Sequence, residues 1–233
     1  MPPQQRAVKT RQDLLTAAAE VFCEKGYEAA STVEIFQRAG VTKGALYFHF
    51  KSKSDLALGV LAEAVTTEGV APQLFKLQEW IDTALALAYR LPREPVLRAA
   101  LLLQLDPQFR TMFGTQPWKD WIDLTAQFLQ EAKDAGELLA HVDPQRASRV
   151  LVSAWAGLQA VIEGVPSERG LEAEVSYMLD MMLPSIAVPA ILRNLDITPS
   201  RGYRVFGESG FSGTPGSFRD LREDRTREHT DGG

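Results

Sequence analysis

The chain has one cysteine, three histidines and no long apolar run among its 233 residues. The lone Cys23 cannot form an internal disulfide, and an unpaired thiol favours a reducing compartment over secretion. No stretch reaches the roughly 18 apolar residues of a membrane span, and the polar N-terminus lacks the apolar core of a signal peptide. These absences predict a cytoplasmic protein with no membrane partner.

Catalytic and cofactor motifs are missing as well. His49, His141 and His229 lie on separate segments, and none has a cysteine or carboxylate partner at metal-ligand spacing. Ser209 and Ser212 sit among glycines without a Gly-x-Ser-x-Gly arrangement, and no glycine-rich phosphate loop is present. We therefore expect no catalytic residues, no metal site, no cofactor and no enzyme activity. A helical enzyme that acts on a hydrophobic small molecule is the remote alternative.

The net charge of -5 is distributed unevenly along the chain. Residues 1–53 hold eight Lys/Arg against five Asp/Glu, residues 54–200 hold eleven against nineteen, and residues 201–233 hold six of each. A basic N-terminal segment followed by an acidic remainder is typical of a protein in which one part binds a polyanion.

Helical periodicity dominates the sequence. Apolar residues recur at spacings of three and four from Arg6 to Lys25, and Ser31 and Thr42 are N-cap signals for two short helices separated by Gly40. Prolines and glycines bound further helices near 73–91, 94–105, 117–135, 144–163, 168–183 and 185–195. The pattern predicts an all-α fold with a helix-turn-helix DNA-binding domain at 1–53 and a helical ligand-binding and dimerisation domain at 54–200. A flexible tail is expected at 201–233, apart from docking by Tyr203, Phe206 or Phe211.

The second short helix has more large side chains than one buried face accommodates. Only Leu46 and Phe50 share a face at helical spacing, so its remaining side chains either form an ordinary surface or contact a ligand. A helix start of small residues and one lysine can enter a DNA major groove. Hydroxyl, imidazole and ammonium groups nearby can donate hydrogen bonds to phosphates. The candidate DNA-binding residues are Ser31, Thr32, Thr42, Lys43, Gly44, Ala45, Tyr47, His49 and Lys53.

The acidic body is rich in aromatic residues for a helical domain, and a few polar residues accompany them. Such a mixture favours an apolar cleft with polar groups that orient a ligand, although most of these aromatics could equally form the core. Ala154, Gly157 and Ala160 form a stripe of small residues that would let a second subunit approach closely. The candidate ligand-binding residues are Tyr89, Trp121, Thr125, Phe128, Trp155 and Gln159.

Residues 40–53, GVTKGALYFHFKSK, resemble the recognition region of TetR-type transcriptional repressors. From about residue 5 to 200 the chain is most similar to the γ-butyrolactone receptors of streptomycete-type bacteria, notably at Trp121 and in the runs 136–142, 156–159 and 183–189. The resemblance implies a homodimer that binds a palindromic operator in double-stranded DNA and is released by a small diffusible signal, a γ-butyrolactone-type autoregulator of secondary metabolism. It also implies that Trp121 lines the lactone pocket.

One position departs from that family pattern. Ala154 stands where such receptors often carry a threonine whose hydroxyl can serve the lactone. The alternative is therefore a pseudo-receptor of the same fold that responds to an antibiotic or a pathway intermediate.

Overall fold

The computed structural model describes residues 3–64 and 70–207. Within these ranges the all-α prediction is confirmed, since the one β-type contact is an isolated bridge between Leu138 and Ala187. Phe211 and the rest of the expected tail lie outside the described residues. The helices are α1 (Pro3–Ala29, interrupted at Gly26), α2 (Thr32–Arg38), α3 (Lys43–His49), α4 (Lys53–Ala64), α5 (Lys76–Arg90), α6 (Pro95–Leu105), α7 (Pro107–Phe113), α8 (Gln116–Asp134), α9 (Pro144–Gly164), α10 (Leu171–Met182) and α11 (Pro189–Leu192), with a 3₁₀ turn at Leu183–Ser185 and a π turn at Tyr203–Gly207.

These helices fall into two compact units. We call the first the head unit; it contains α1–α4 together with the segment Arg93–Gly114, which carries α6 and α7. The second, the body unit, contains α5 and α8–α11. The head unit is larger than the helix-turn-helix alone because α6 packs along both α1 and α4. A functional division at residue 53 stays a prediction.

The helix-turn-helix forms from local signals. Ser31 Oγ accepts a hydrogen bond from the Val33 amide at 3.2 Å, and Thr42 Oγ1 accepts one from the Ala45 amide at 3.2 Å. Between the two helices Gly40 has a φ of 65°, which a residue with a side chain adopts only at a cost. The two predicted N-caps and the glycine turn are therefore confirmed.

The helix α7 was not among the sequence predictions. Asp106 Oδ1 accepts hydrogen bonds from the amides of Gln108 at 2.8 Å and Phe109 at 3.1 Å, and Pro107 occupies the first helical position. An acidic N-cap followed by proline is a helix-start signal. The ring of Phe109 packs edge-on against Tyr27 at a centroid distance of 5.4 Å, which attaches α7 to the end of α1.

The body unit is built around α5, which contacts α8 and α10. Glu137, itself buried, accepts hydrogen bonds from the amides of Lys76 at 2.9 Å and Leu77 at 2.8 Å, so it satisfies donors in the first turn of α5. The indole of Trp155 on α9 donates to the Ala84 carbonyl at 3.3 Å. Helices α8 and α9 are in contact and are joined by residues 135–143.

A segment at residues 196–206, which we call the strap, returns to α5 within the body unit. Arg201 donates to both carboxylate oxygens of Asp82, at 2.8 and 2.6 Å, and Asp82 is 0% exposed. A Cβ added to Gly202 would overlap the Leu85 carbonyl, so the strap touches the α5 backbone directly.

Both described aromatic residues that were expected to dock contact α5. Tyr203 packs edge-on against Tyr89 at 5.8 Å, and the Phe206 ring lies 4.4 Å from the Arg90 guanidinium. The first residues of the expected tail are thus packed.

Candidate DNA-binding surface and effector site

The helix α3 has one buried face and one exposed face. Leu46 and Phe50 are buried, as their spacing predicts. Thr42, Lys43, Gly44 and Tyr47 are exposed, and Ala45 and His49 are half-buried. A Cβ added to Gly44 would meet no atom closer than Thr42 Oγ1 at 3.9 Å, so the backbone at this point is open to a ligand. The predicted groove-facing residues therefore share one accessible surface.

Phe48 also belongs to this surface, although it was not among the predicted site residues. Its side chain is 81% exposed and contacts the His49 ring edge-on at 5.1 Å. The signal was present in the sequence, because Leu46 and Phe50 already occupy the buried face of so short a helix. An exposed phenyl ring can contact sugars and thymine methyl groups.

The cations of the head unit divide into paired and unpaired groups. Arg38 donates to both carboxylate oxygens of Glu24, at 2.6 and 2.8 Å; this hydrogen bonding lowers the pKa of Glu24 and raises that of Arg38. Lys25 pairs with Glu34 at 2.7 Å.

Lys43 and Lys51 are exposed and form no ion pair with any residue that the structure describes. The Lys43 ammonium lies 5.9 Å from the centroid of the Tyr47 ring. Positive charge that is free for a polyanion is thus present at both ends of α3.

Lys53 has a structural role that the sequence did not reveal. Its ammonium donates to the carbonyls of Tyr27 at 2.8 Å, Glu28 at 3.0 Å and Ala30 at 3.1 Å, and it lies 4.6 Å from the centroid of the Tyr27 ring. All three N–H donors of the lysine are therefore in use at the negative end of α1. The phosphate contact assigned to Lys53 stays a prediction and requires that the lysine exchange one of these carbonyls for DNA.

The two candidates at the start of α2 are placed differently from each other. Ser31 is exposed and its hydroxyl oxygen caps α2, whereas Thr32 is half-buried. Ser31 keeps a hydroxyl proton that it can donate.

Five of the six candidate ligand-binding residues lie on the helical pair α8 and α9. Trp121 and Thr125 lie in the first half of α8, and Trp155 and Gln159 lie in the second half of α9, which contacts α8. Thr125 and Gln159 are buried, and the two tryptophans are half-buried. Phe128 follows Thr125 one turn later and is buried as well. The sixth, Tyr89, packs against the strap.

The apolar side chains on the outer surface of α9 and α10 are more than half exposed. On each helix they are separated by helical spacings, so they lie on the same side of it. Of the predicted small-residue stripe, Gly157 is exposed with this face, while Ala154 and Ala160 are half-buried. The face consists of Val150, Val161, Val165, Tyr177 and Met181.

No helix within residues 3–64 and 70–207 is long and apolar enough to cross a bilayer. Across the same ranges, no group of three or more His, Cys, Asp or Glu side chains is placed to hold a metal ion.

Known proteins are similar to this chain in both sequence and fold. Residues 14–60 match the pattern of "Bacterial regulatory proteins, tetR family". The A-factor receptor protein of Streptomyces griseus is 36% identical over 195 residues, which cover 84% of this chain and 70% of the relative. TylP, a TetR regulator from Streptomyces fradiae, is 37% identical with a TM-score of 0.82 over 88% of this chain and 100% of its own.

A solved γ-butyrolactone receptor, an ArpA-like protein, is 25% identical with a TM-score of 0.68 over 87% of this chain and 99% of its own. These similarities confirm the resemblance drawn from residues 40–53 and from the body. The chain therefore belongs to the tetR family of bacterial regulatory proteins.

Proposed function

We propose that the chain is a cytoplasmic repressor that binds a palindromic operator as a homodimer and leaves it when a γ-butyrolactone-type effector binds the body unit. Its targets are genes of secondary metabolism. The observation that carries the DNA-binding part is the exposed face of α3, where small and donor side chains surround an open backbone at Gly44.

The residues on this face suit different parts of a duplex. Lys43 near the start of α3 can donate to the acceptor atoms of guanine in the major groove. Tyr47, His49 and the Ser31 hydroxyl can donate to phosphates, which fix the register of the helix on the DNA. Phe48 adds an apolar contact. The unpaired charge of Lys43 and Lys51 attracts the duplex, and that attraction weakens with salt.

The exposed apolar face of α9 and α10 supports a homodimer. Exposed apolar side chains grouped on one side of a helix are typical of a protein interface, and a two-fold dimer would bury the same face on both subunits. Two recognition helices that read one face of B-DNA must lie about 34–36 Å apart. The palindromic operator follows from that two-fold symmetry.

The effector part is supported by the relatives and by the residues of the body unit. Two contacting helices, α8 and α9, carry the aromatic residues Trp121 and Trp155 and the polar residues Thr125 and Gln159. An effector weakens operator binding only when it binds better to a form of the dimer that binds DNA poorly, with a typical coupling of about 1–3 kcal/mol.

The second candidate effector is an antibiotic or a pathway intermediate. Ala154, half-buried beside Trp155, offers no hydroxyl for a lactone at this position. This observation favours a pseudo-receptor, in which the same head would answer to a different small molecule.

DNA binding is tested by titrating the full-length chain onto an inverted repeat from the promoter region of its own gene, followed by fluorescence anisotropy. We expect a nanomolar Kd at moderate salt and two chains per repeat. A scrambled duplex of the same length is the control. Equal affinity for both duplexes, or a monomer in sedimentation, would contradict the proposal.

The effector class is tested on the preformed complex. A γ-butyrolactone with an alkyl side chain should lower operator affinity by about 5- to 150-fold. Mass spectrometry of small molecules that co-purify with the protein provides an independent readout. Release by an antibiotic, with no response to lactones, would show that the protein is a pseudo-receptor and not a lactone receptor.

A further inference from the structure

The side-chain amide of Gln159 has an acceptor without a partner. Gln159 is 2% exposed, and its Nε2 donates to Glu163 Oε1 at 3.2 Å, one turn later on α9. Its Oε1 is buried and accepts no hydrogen bond from any residue that the structure describes. A buried acceptor of this kind is rare in folded proteins, because burial removes the water that would otherwise satisfy it.

Other buried polar side chains of the body unit are satisfied inside it. Asp82 accepts hydrogen bonds from Arg201 and Gln78. Glu137 accepts two from backbone amides at the start of α5. Within residues 70–92 and 115–207, Gln159 Oε1 is the buried side-chain acceptor left over. It lies one turn after Trp155 on α9, whose indole donates to the Ala84 carbonyl of α5.

We propose that Gln159 Oε1 accepts a hydrogen bond from a hydroxyl or N–H group of the effector, and that this bond selects effectors with such a donor. The inference rests on the proposed effector function. It adds that one group of the effector is a hydrogen-bond donor. Glu163 accepts from the amide nitrogen, so it fixes which end of the amide faces the ligand. A ketone or ether oxygen placed there would meet a second acceptor and be repelled.

The test uses three γ-butyrolactones that differ at one side-chain carbon, which carries a hydroxyl, a ketone or a methyl ether. Their Kd values are measured by calorimetry, and operator release is followed in parallel. The wild-type protein should bind the hydroxyl compound roughly tenfold or more tightly than the other two. Equal affinity for all three would overturn the inference while leaving the effector function intact.

Two variants test whether Gln159 Oε1 causes the preference for the hydroxyl compound. Gln159→Leu removes the acceptor at similar volume, so the ratio of the hydroxyl to the ketone Kd should approach one. The change also removes the hydrogen bond from Nε2 to Glu163, so Glu163→Ala, which loses the same bond, is the matched control for the melting temperature without ligand. Glu163→Ala frees the amide to rotate and donate, so the ketone should gain affinity.

The outcomes distinguish failure of the Gln159 inference from failure of the proposed effector function. If none of the three lactones binds the wild-type protein, the lactone effector class is overturned and this inference with it. If they bind but Gln159→Leu retains the hydroxyl preference, only the inference is overturned. Should Gln159→Leu fold poorly, Gln159→Met provides the same test with a flexible apolar side chain. A melting temperature below that of Glu163→Ala in both variants would show that Oε1 has an internal partner and would also overturn the inference.

Discussion

The head unit and the body unit use their polar side chains in opposite ways. On α3 the head unit exposes Lys43 and Tyr47 around an open backbone. The body unit buries Asp82, Glu137 and Gln159. The first arrangement suits a large charged partner met at the surface, whereas Asp82 and Glu137 in the second are paired inside the unit and stabilise its fold.

This contrast determines what a substitution changes. A side chain exposed on α3 contributes little to folding, so its removal should alter DNA binding at nearly constant stability. Asp82 and Glu137 are paired inside the body unit, so loss of their partners should lower the free energy of unfolding first. Substitutions in the two units should therefore separate DNA binding from stability.

The largest effect is expected for Arg201→Ala. The change leaves Asp82 buried with only the Gln78 hydrogen bond, and breaking a buried ion pair costs about 3 kcal/mol of unfolding free energy or more. The control is Arg204→Ala, whose pair with Asp196 is 42% exposed on the arginine side and should cost under about 1 kcal/mol. Urea denaturation measures both, and equal losses would show that the strap does not depend on Asp82.

Lys43→Ala should act on recognition and not on stability. Loss of a lysine contact to a guanine edge removes about 1–3 kcal/mol of discrimination at one base pair. The melting temperature should stay constant, because the side chain forms no ion pair with the described residues. Affinities for a panel of single-base operator variants provide the measurement; a uniform loss across the panel would assign Lys43 to phosphate instead.

Lys53→Ala should change both DNA binding and stability. The predicted phosphate contact requires weaker binding to all sequences and a salt slope smaller by about one unit. The three carbonyl contacts require, in addition, a loss of about 1–2 kcal/mol of stability. Lys51→Ala is the matched control, since Lys51 is exposed and should leave stability unchanged. An unchanged salt slope with a lower melting temperature would make Lys53 a structural residue only.

The smallest effect on stability should come from Gly44→Ala, and it should be favourable. Alanine in a helix stabilises by about 0.5–1 kcal/mol relative to glycine, and the added methyl group meets no close neighbour. Operator affinity should nevertheless fall, because the methyl group lies on the groove-facing surface.

Gly59→Ala, also in the head unit, should have the opposite effect on stability. Its Cβ would lie 2.8 Å from Leu15 Cδ2, so stability should fall. Unchanged operator affinity in Gly44→Ala would remove Gly44 from the interface.

Features of the fold that depend on neighbouring residues could be predicted from the sequence. The caps at Ser31 and Thr42, the turn at Gly40 and the buried pair Leu46 and Phe50 all depend on residues within a few positions. Each has a defined physical signal in a short window, such as a side-chain acceptor before a helix or a four-residue apolar spacing.

Features that join distant residues could not be predicted. The Asp82–Arg201 pair spans 119 positions, and Lys53 meets its carbonyl partners 23–26 positions earlier. Nothing in the local composition marks either contact. For the same reason the candidate residues of α8 and α9 could be named but the unpaired oxygen of Gln159 could not.

The packing of α6 and α7 with the helix-turn-helix affects how this regulator can be divided. The chain contributes α1–α4 to the head unit, continues into the body unit, and returns with Arg93–Gly114 before leaving again. A fragment cut after α4 would lack α6 and would expose the apolar surfaces of α1 and α4 that α6 covers. A chimera meant to transfer operator specificity to another regulator should therefore exchange side chains on α3 alone, or carry both pieces of the head unit together.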